Sequence, residues 1–265
     1  MTDHDLRRTI ISLRDIFTPL SSIGENGVML ARLYSASLPC PPGFFISSTA
    51  YMKFAKESGF FELMQNAFSE IKLENHSEID ELIAKIQQFF IKNPIPSEIL
   101  EEIQQALVMI DGIEIESVIQ GSVCLQDFSD PLFFESFHFF KNASGIEEID
   151  ETIKKCWASL WTPQSIQYVL RNHLAPESIQ MAVIVQKSVS SDADGLMLTV
   201  DPENGRCDRI LIDTFIGSPA DQKTPTYRIA VHKKTGKVIH WKTTSREIVT
   251  IRSPFGVYRI PVHPV

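Results

Sequence analysis

The chain has 265 residues, 43% hydrophobic and 22% charged, with a formal net charge of -8 and a sequence pI of 5.4. That length can bury a sizeable core in one large domain or two small lobes, and the acidic balance argues against a phosphate-backbone partner such as nucleic acid. No apolar run approaches the roughly 18 residues of a membrane span, and MTDHDLRRTI lacks a signal-peptide apolar region, so a cytoplasmic protein without membrane contact is expected.

In chain order, Pro41-Pro42-Gly43 reads as a turn that feeds a strand over 44–47, and Thr49 opens a helix. Three amphipathic helices follow. Phe60, Leu63, Met64, Ala67, Phe68 and Ile71 form the first stripe; Ile79, Leu82, Ile83, Ile86, Phe89 and Phe90 form the second, after a Ser77-x-x-Asp80 capping pattern. The third carries Ile99, Leu100, Ile103, Ala106, Leu107 and Ile110, with Ser97 as its expected N-cap and Asp111-Gly112 as its stop.

Near residue 113 strands take over. The reading is an α+β chain, with a helix-rich lobe over 1–112 and a strand-rich lobe over 113–265. The Phe-rich run LFFESFHFF reads as a buried strand, with His138 at its edge. One helix over 147–161 buries Ile149, Ile153, Trp157 and Leu160, and a short one opens at Thr162-Pro163. Two buried strands at 181–185 and 196–200 flank a turn at 190–195, and Asp201 to Gly205 closes the second. Residues 209–215 form a strand, and 226–231 with 237–242 form a hairpin around Lys233-Lys234-Thr235-Gly236. Four cysteines and seven histidines show no metal-ligand spacing, and neither a Gly-rich P-loop nor a Gly-x-Ser-x-Gly pattern occurs.

Four segments resemble one family. MAVIVQKSVSSDADGLMLTVDPENG over 181–205 is similar to the V-x-V-Q-x-M-V…S-G-V-x-F-T-x-D-P-x-x-G signature of the N-terminal, ATP-grasp-type nucleotide-binding domain of phosphoenolpyruvate synthase and pyruvate phosphate dikinase. IGENGVML over 23–30 resembles its V-G-G-K-x-A-x-L, and LPCPPGFFISSTAY over 38–51 resembles L-P-V-P-P-G-F-x-I-T-T-x-A-Y. CWASLW over 156–161, with Ile166 and Tyr168, resembles C-W-A-S-L-F-x-x-R-A-x-x-Y-R. The resemblance implies an ATP-grasp-like fold and a parent activity that passes a phosphoryl group from ATP to a histidine carrier.

A triphosphate needs cations and bare backbone beside it. The family's first phosphate lysine aligns with Asn26 and its phosphate arginine with Gln120. Its phosphate-arching glycine aligns with Glu135, and the glutamate of its G-L-G-E with Ser218. The metal-ligand glutamate of I-E-W and the glutamine of Q-A-R-P have no counterpart in IRSPFGVYRIPVHPV, which leaves magnesium without a recognisable ligand set. Arg252 and Arg259 in that stretch read as solvated edge residues. The adenine side is retained in outline, since Gln186, Lys187 and Ser188 match the hinge whose main chain meets the adenine edge; a central buried strand accounts for the same residues equally well. Lys187 and Arg228 are candidate replacement cations.

The expected ligand is therefore an adenine nucleotide, with ATP held weakly and no magnesium, in a domain that is catalytically silent. Two alternatives stay open: a phosphotransferase subunit completed by a family enzyme or phosphocarrier domain on another chain, and a scaffold that binds no nucleotide.

Overall fold

The computed structural model describes residues 8–15, 18–71, 76–124, 139–191, 193–216, 227–243, 248–253 and 256–261. The chain folds as two compact units, the first ending at Ser188 and the second beginning at Val189.

The first unit is built on five antiparallel strands in the order β1 (Ile10–Ser12), β2 (Gly43–Ile46), β5 (Gln180–Lys187), β3 (Ser117–Cys124), β4 (Phe139–Ala143). β5 is central, with Phe44 opposite Val185 on one side and Ile119 opposite Val185 on the other. Its core, Met181 to Val185, is buried on both faces, as its continuous apolar run requires. One face carries helices α2 (Ser48–Glu57), α3 (Phe60–Glu70), α4 (His76–Lys92), α5 (Ser97–Ile110), α6 (Gly145–Ala158) and α7 (Pro163–Arg171). There Tyr51, Phe54, Phe60, Phe90, Trp157 and Trp161 form the large side chains of the main core. The other face packs Ile184 and Phe45 against Ile23 and Ala31 of α1 (Leu20–Ser35).

The division after Ser188 differs from a boundary at residue 112. Element type does change near there, but β3, β4 and β5 return to pair beside β1 and β2, so strands from both sides of that point share one sheet and one core. Helix ends also differ in detail. α5 has Pro96 as its N-cap and Ser97 as its first helical residue, and Ser77 lies inside α4. α6 runs from Gly145 to Ala158, two residues earlier at its start than its stripe suggests. α7 carries a capping box, Thr162 Oγ1 accepting from the Ser165 N–H at 3.1 Å, with Pro163 in the first turn.

The second unit holds a four-stranded antiparallel sheet in the order β6 (Ala193–Leu198), β7 (Arg209–Ile216), β8 (Tyr227–His232), β9 (Val238–Thr243), and a hairpin of β10 (Ile248–Ser253) and β11 (Gly256–Pro261). A buried strand was expected over 196–200 after a turn at 190–195; instead the strand runs over Ala193–Leu198, taking in part of the expected turn, and Leu196 and Met197 are 53% and 60% exposed. It is an edge strand, so its apolar residues lack a neighbour on one side. The Asp201–Gly205 turn closes by the Gly205 N–H donating to the Asp201 carbonyl at 2.8 Å, with Gly205 at φ +70°. Arg252 and Arg259 lie in β10 and β11.

Candidate functional site

The candidate site of the first unit begins at a break in α1. Gly24 has φ 69° and ψ 177°, which interrupts the helix and lets it lie directly on β3. A Cβ there would stand 2.4 Å from Ser122 Oγ and 2.5 Å from the Val123 carbonyl oxygen, so only glycine fits. The Ser122 hydroxyl bridges the break, donating to the Ile23 carbonyl at 2.6 Å and accepting from the Gly27 N–H at 3.1 Å. Asn26 follows in the first turn after the break, and its Nδ2 donates to the Gly121 carbonyl at 3.4 Å. On β3 side chains alternate, so Gln120 shares the α1 face with Ser122. It stands opposite Ile184 of β5.

The end of β5 is pinned from both sides. Gly43 lies so close that a Cβ would meet the Val185 carbonyl oxygen at 2.2 Å. Gln186 Nε2 donates to the Pro41 carbonyl at 3.1 Å, an oxygen also taken by the Tyr34 hydroxyl. The Lys187 N–H donates to the Pro42 carbonyl at 2.9 Å, and the Ser188 N–H to the Glu116 carbonyl at 2.8 Å. Both hinge N–H groups are thus spent within the unit. The Lys187 ammonium forms an ion pair with Asp111 at the end of α5. The chain enters the second unit immediately afterwards, at Val189.

The structure therefore gathers Asn26, Gln120 and Gln186 on the α1 face of the sheet and sends Lys187 to α5. Glu135 and Ser218 lie outside the described residues, as does His138. The other candidate cation, Arg228 on β8, makes a forked pair with Asp213 of β7 at 2.7 and 2.8 Å and reaches Glu203 at 3.3 Å. Its hydrogen bond with Asp213, outweighing burial, raises the guanidinium pKa above its already high value. Two positioning groups were missed in the sequence: Ser122, which sets α1, and Asp111, which holds Lys187. A serine in a strand carries no local signal of a partner 99 residues away.

Other chemistry is sparse. Burial pushes the Cys124 and Cys156 thiols up to about 12, which keeps both neutral and poor nucleophiles. Among the described residues no group of three or more His, Cys, Asp and Glu could hold a metal ion. Cavities of about 610 Å³ between α2 and α3 and about 460 Å³ beside α4 and α7 take in none of the predicted site residues. No helix among the described residues is long and apolar enough to cross a membrane.

The model of a family described as pyruvate phosphate dikinase, AMP/ATP-binding domain, matches residues 20–263. The chain is 31% identical over 217 residues to phosphoenolpyruvate synthase of Aeropyrum pernix, covering 80% of this chain and 26% of that protein. It is 27% identical over 250 residues to a probable phosphoenolpyruvate synthase of Methanothermobacter thermautotrophicus, covering 91% of this chain and 36% of the relative. Rifampicin phosphotransferase of Bacillus subtilis is 27% identical over 201 residues, covering 76% and 23%. The chain thus spans about a quarter to a third of the length of these relatives. With its mixed α+β architecture and antiparallel sheets, it belongs to the pyruvate phosphate dikinase AMP/ATP-binding domain family.

Proposed function

We propose that this chain is an adenine-nucleotide-binding domain that has lost its grip on the phosphates and transfers no phosphoryl group by itself. The observation that carries the reading is Asn26, which aligns with the family's phosphate lysine and spends its amide on the Gly121 carbonyl. A neutral amide replaces an ammonium there, and Gln120 replaces a guanidinium on the same face. The two candidate substitutes are already neutralised, Lys187 by Asp111 and Arg228 by Asp213 and Glu203. This donor set does not fit a magnesium triphosphate.

The adenine side is better supplied. With the Lys187 and Ser188 N–H groups engaged, the Gln186 amide oxygen remains as an acceptor for an exocyclic amino group. Adenosine therefore binds no worse than ATP. The phosphoryl transfer of the parent activity falls to a family enzyme or phosphocarrier domain on another chain. The test is titration calorimetry with adenosine, AMP, ADP and ATP, with and without magnesium. Equal or tighter binding of adenosine supports the reading, and a magnesium-dependent preference for ATP overturns it.

A further inference from the structure

From β8 through β9, residues 227–243 hold five Lys and Arg, two His and no Asp or Glu, within a chain of formal net charge -8. Arg228 is satisfied by Asp213. Lys233, Lys234, Lys237 and Lys242 are exposed, and none of the four has a carboxylate within ion-pair distance among the described residues. The turn that presents them is held by backbone hydrogen bonds. The Gly236 N–H donates to the His232 carbonyl at 2.9 Å, the His232 N–H to the Lys237 carbonyl at 2.9 Å, and the Lys233 N–H to the Asp208 carbonyl at 2.9 Å. Gly236 takes φ +65°, which the tight turn requires.

Lysines on an edge strand commonly guard it against unwanted pairing, and β9 is an edge strand with a register shift opposite Ala230 and Val231. That accounts for Lys242. It does not account for Lys233, Lys234 and Lys237, which sit in the connection before β9, where there is no strand edge to guard. Beside them Val238 and Ile239 are 59% and 46% exposed, an apolar strip next to unpaired cations. We propose that the β8–β9 hairpin is a docking surface for an acidic segment of another protein, whose carboxylates pair with the turn lysines while its apolar side chains cover Val238 and Ile239. A pre-organised turn lowers the ordering cost of that contact, and the opposite sign of the charges steers the encounter. Nucleic acid fits less well, because the apolar strip has no use against a phosphate backbone. The proposal is independent of the nucleotide reading.

The experiment uses the full chain, a fluorescein-labelled peptide alternating glutamate with valine, and fluorescence anisotropy at fixed low salt. The Lys233→Glu/Lys234→Glu/Lys237→Glu variant should bind the peptide about tenfold or more weakly, and raising the salt should weaken the wild type. A control of equal charge change on the helices, Lys56→Glu/Lys85→Glu/Lys92→Glu, should bind like the wild type. Circular dichroism confirms that both variants keep the fold. Equal peptide affinity in the hairpin variant and the wild type overturns the proposal. So does tighter binding of duplex DNA than of the peptide, or a wild-type dimer in sedimentation that the hairpin variant abolishes, which would make the occupant a second copy.

Discussion

At Gly24 a single backbone angle sets the geometry of the candidate site. The φ of 69° breaks α1, and the space beside it is filled by Ser122 and Val123. Gly24→Ala adds a methyl group to a conformation that L residues avoid and drives it into backbone, so it should cost about 2–4 kcal/mol in a urea melt. The thiols give a second residue-scale expectation. Cys124 and Cys156, with pKa values near 12, should resist a thiol reagent in the native state, while exposed Cys207 reacts at once. The sign of the linked stability follows from the raised values: the contribution is complete below the unfolded thiol pKa of about 8.5 and is lost as pH rises toward 12. Stability measured from pH 8 to 10 should therefore fall, and Cys156→Ala should make that fall shallower.

Among the elements, α6 shows what sequence pattern can and cannot carry. Its stripe of Ile149, Ile153 and Trp157 marks a buried face, and all three are fully buried. Trp157 meets Tyr51 edge-on at 5.9 Å and Phe54 at 5.2 Å, so Trp157→Ala should cost about 3–5 kcal/mol by denaturant melts. A loss under about 1 kcal/mol would place the helix outside the core. Among the described residues the indole N–H has no partner, so Trp157→Phe should be the milder change. The same legibility held for the hairpin at Lys233-Lys234-Thr235-Gly236, where turn chemistry is local. It failed for β6, whose apolar residues are half exposed because edge position depends on strand order. It failed again for Lys187 and Arg228, since Asp111 lies 76 residues before the one and Asp213 across a strand from the other. Pairing at that range leaves no periodicity to read.

For the whole molecule, the two units differ in how they hold themselves together. Both apolar clusters lie within residues 11–185, whereas among the described residues of the second unit Ala230 is the buried hydrophobic. A fragment of residues 1–188 should accordingly keep a cooperative thermal transition by circular dichroism, and residues 189–265 alone should not. A cooperative melt of the second fragment would locate a further core among residues outside those described.

The claim at the centre is that the phosphate grip is gone while its setting on the α1 face persists. Asn26→Lys, Gln120→Arg and Glu135→Gly together return two cations and remove one carboxylate. Each charge-assisted hydrogen bond contributes roughly 1.5–3 kcal/mol, so the triple variant should bind ATP on the order of 10²–10⁴-fold tighter than the wild type does. Titration calorimetry of ATP against both proteins at one salt concentration measures this directly. The account predicts that the variant prefers ATP over adenosine and the wild type does not. An ATP preference already present in the wild type, or an intact variant that gains none, would contradict it.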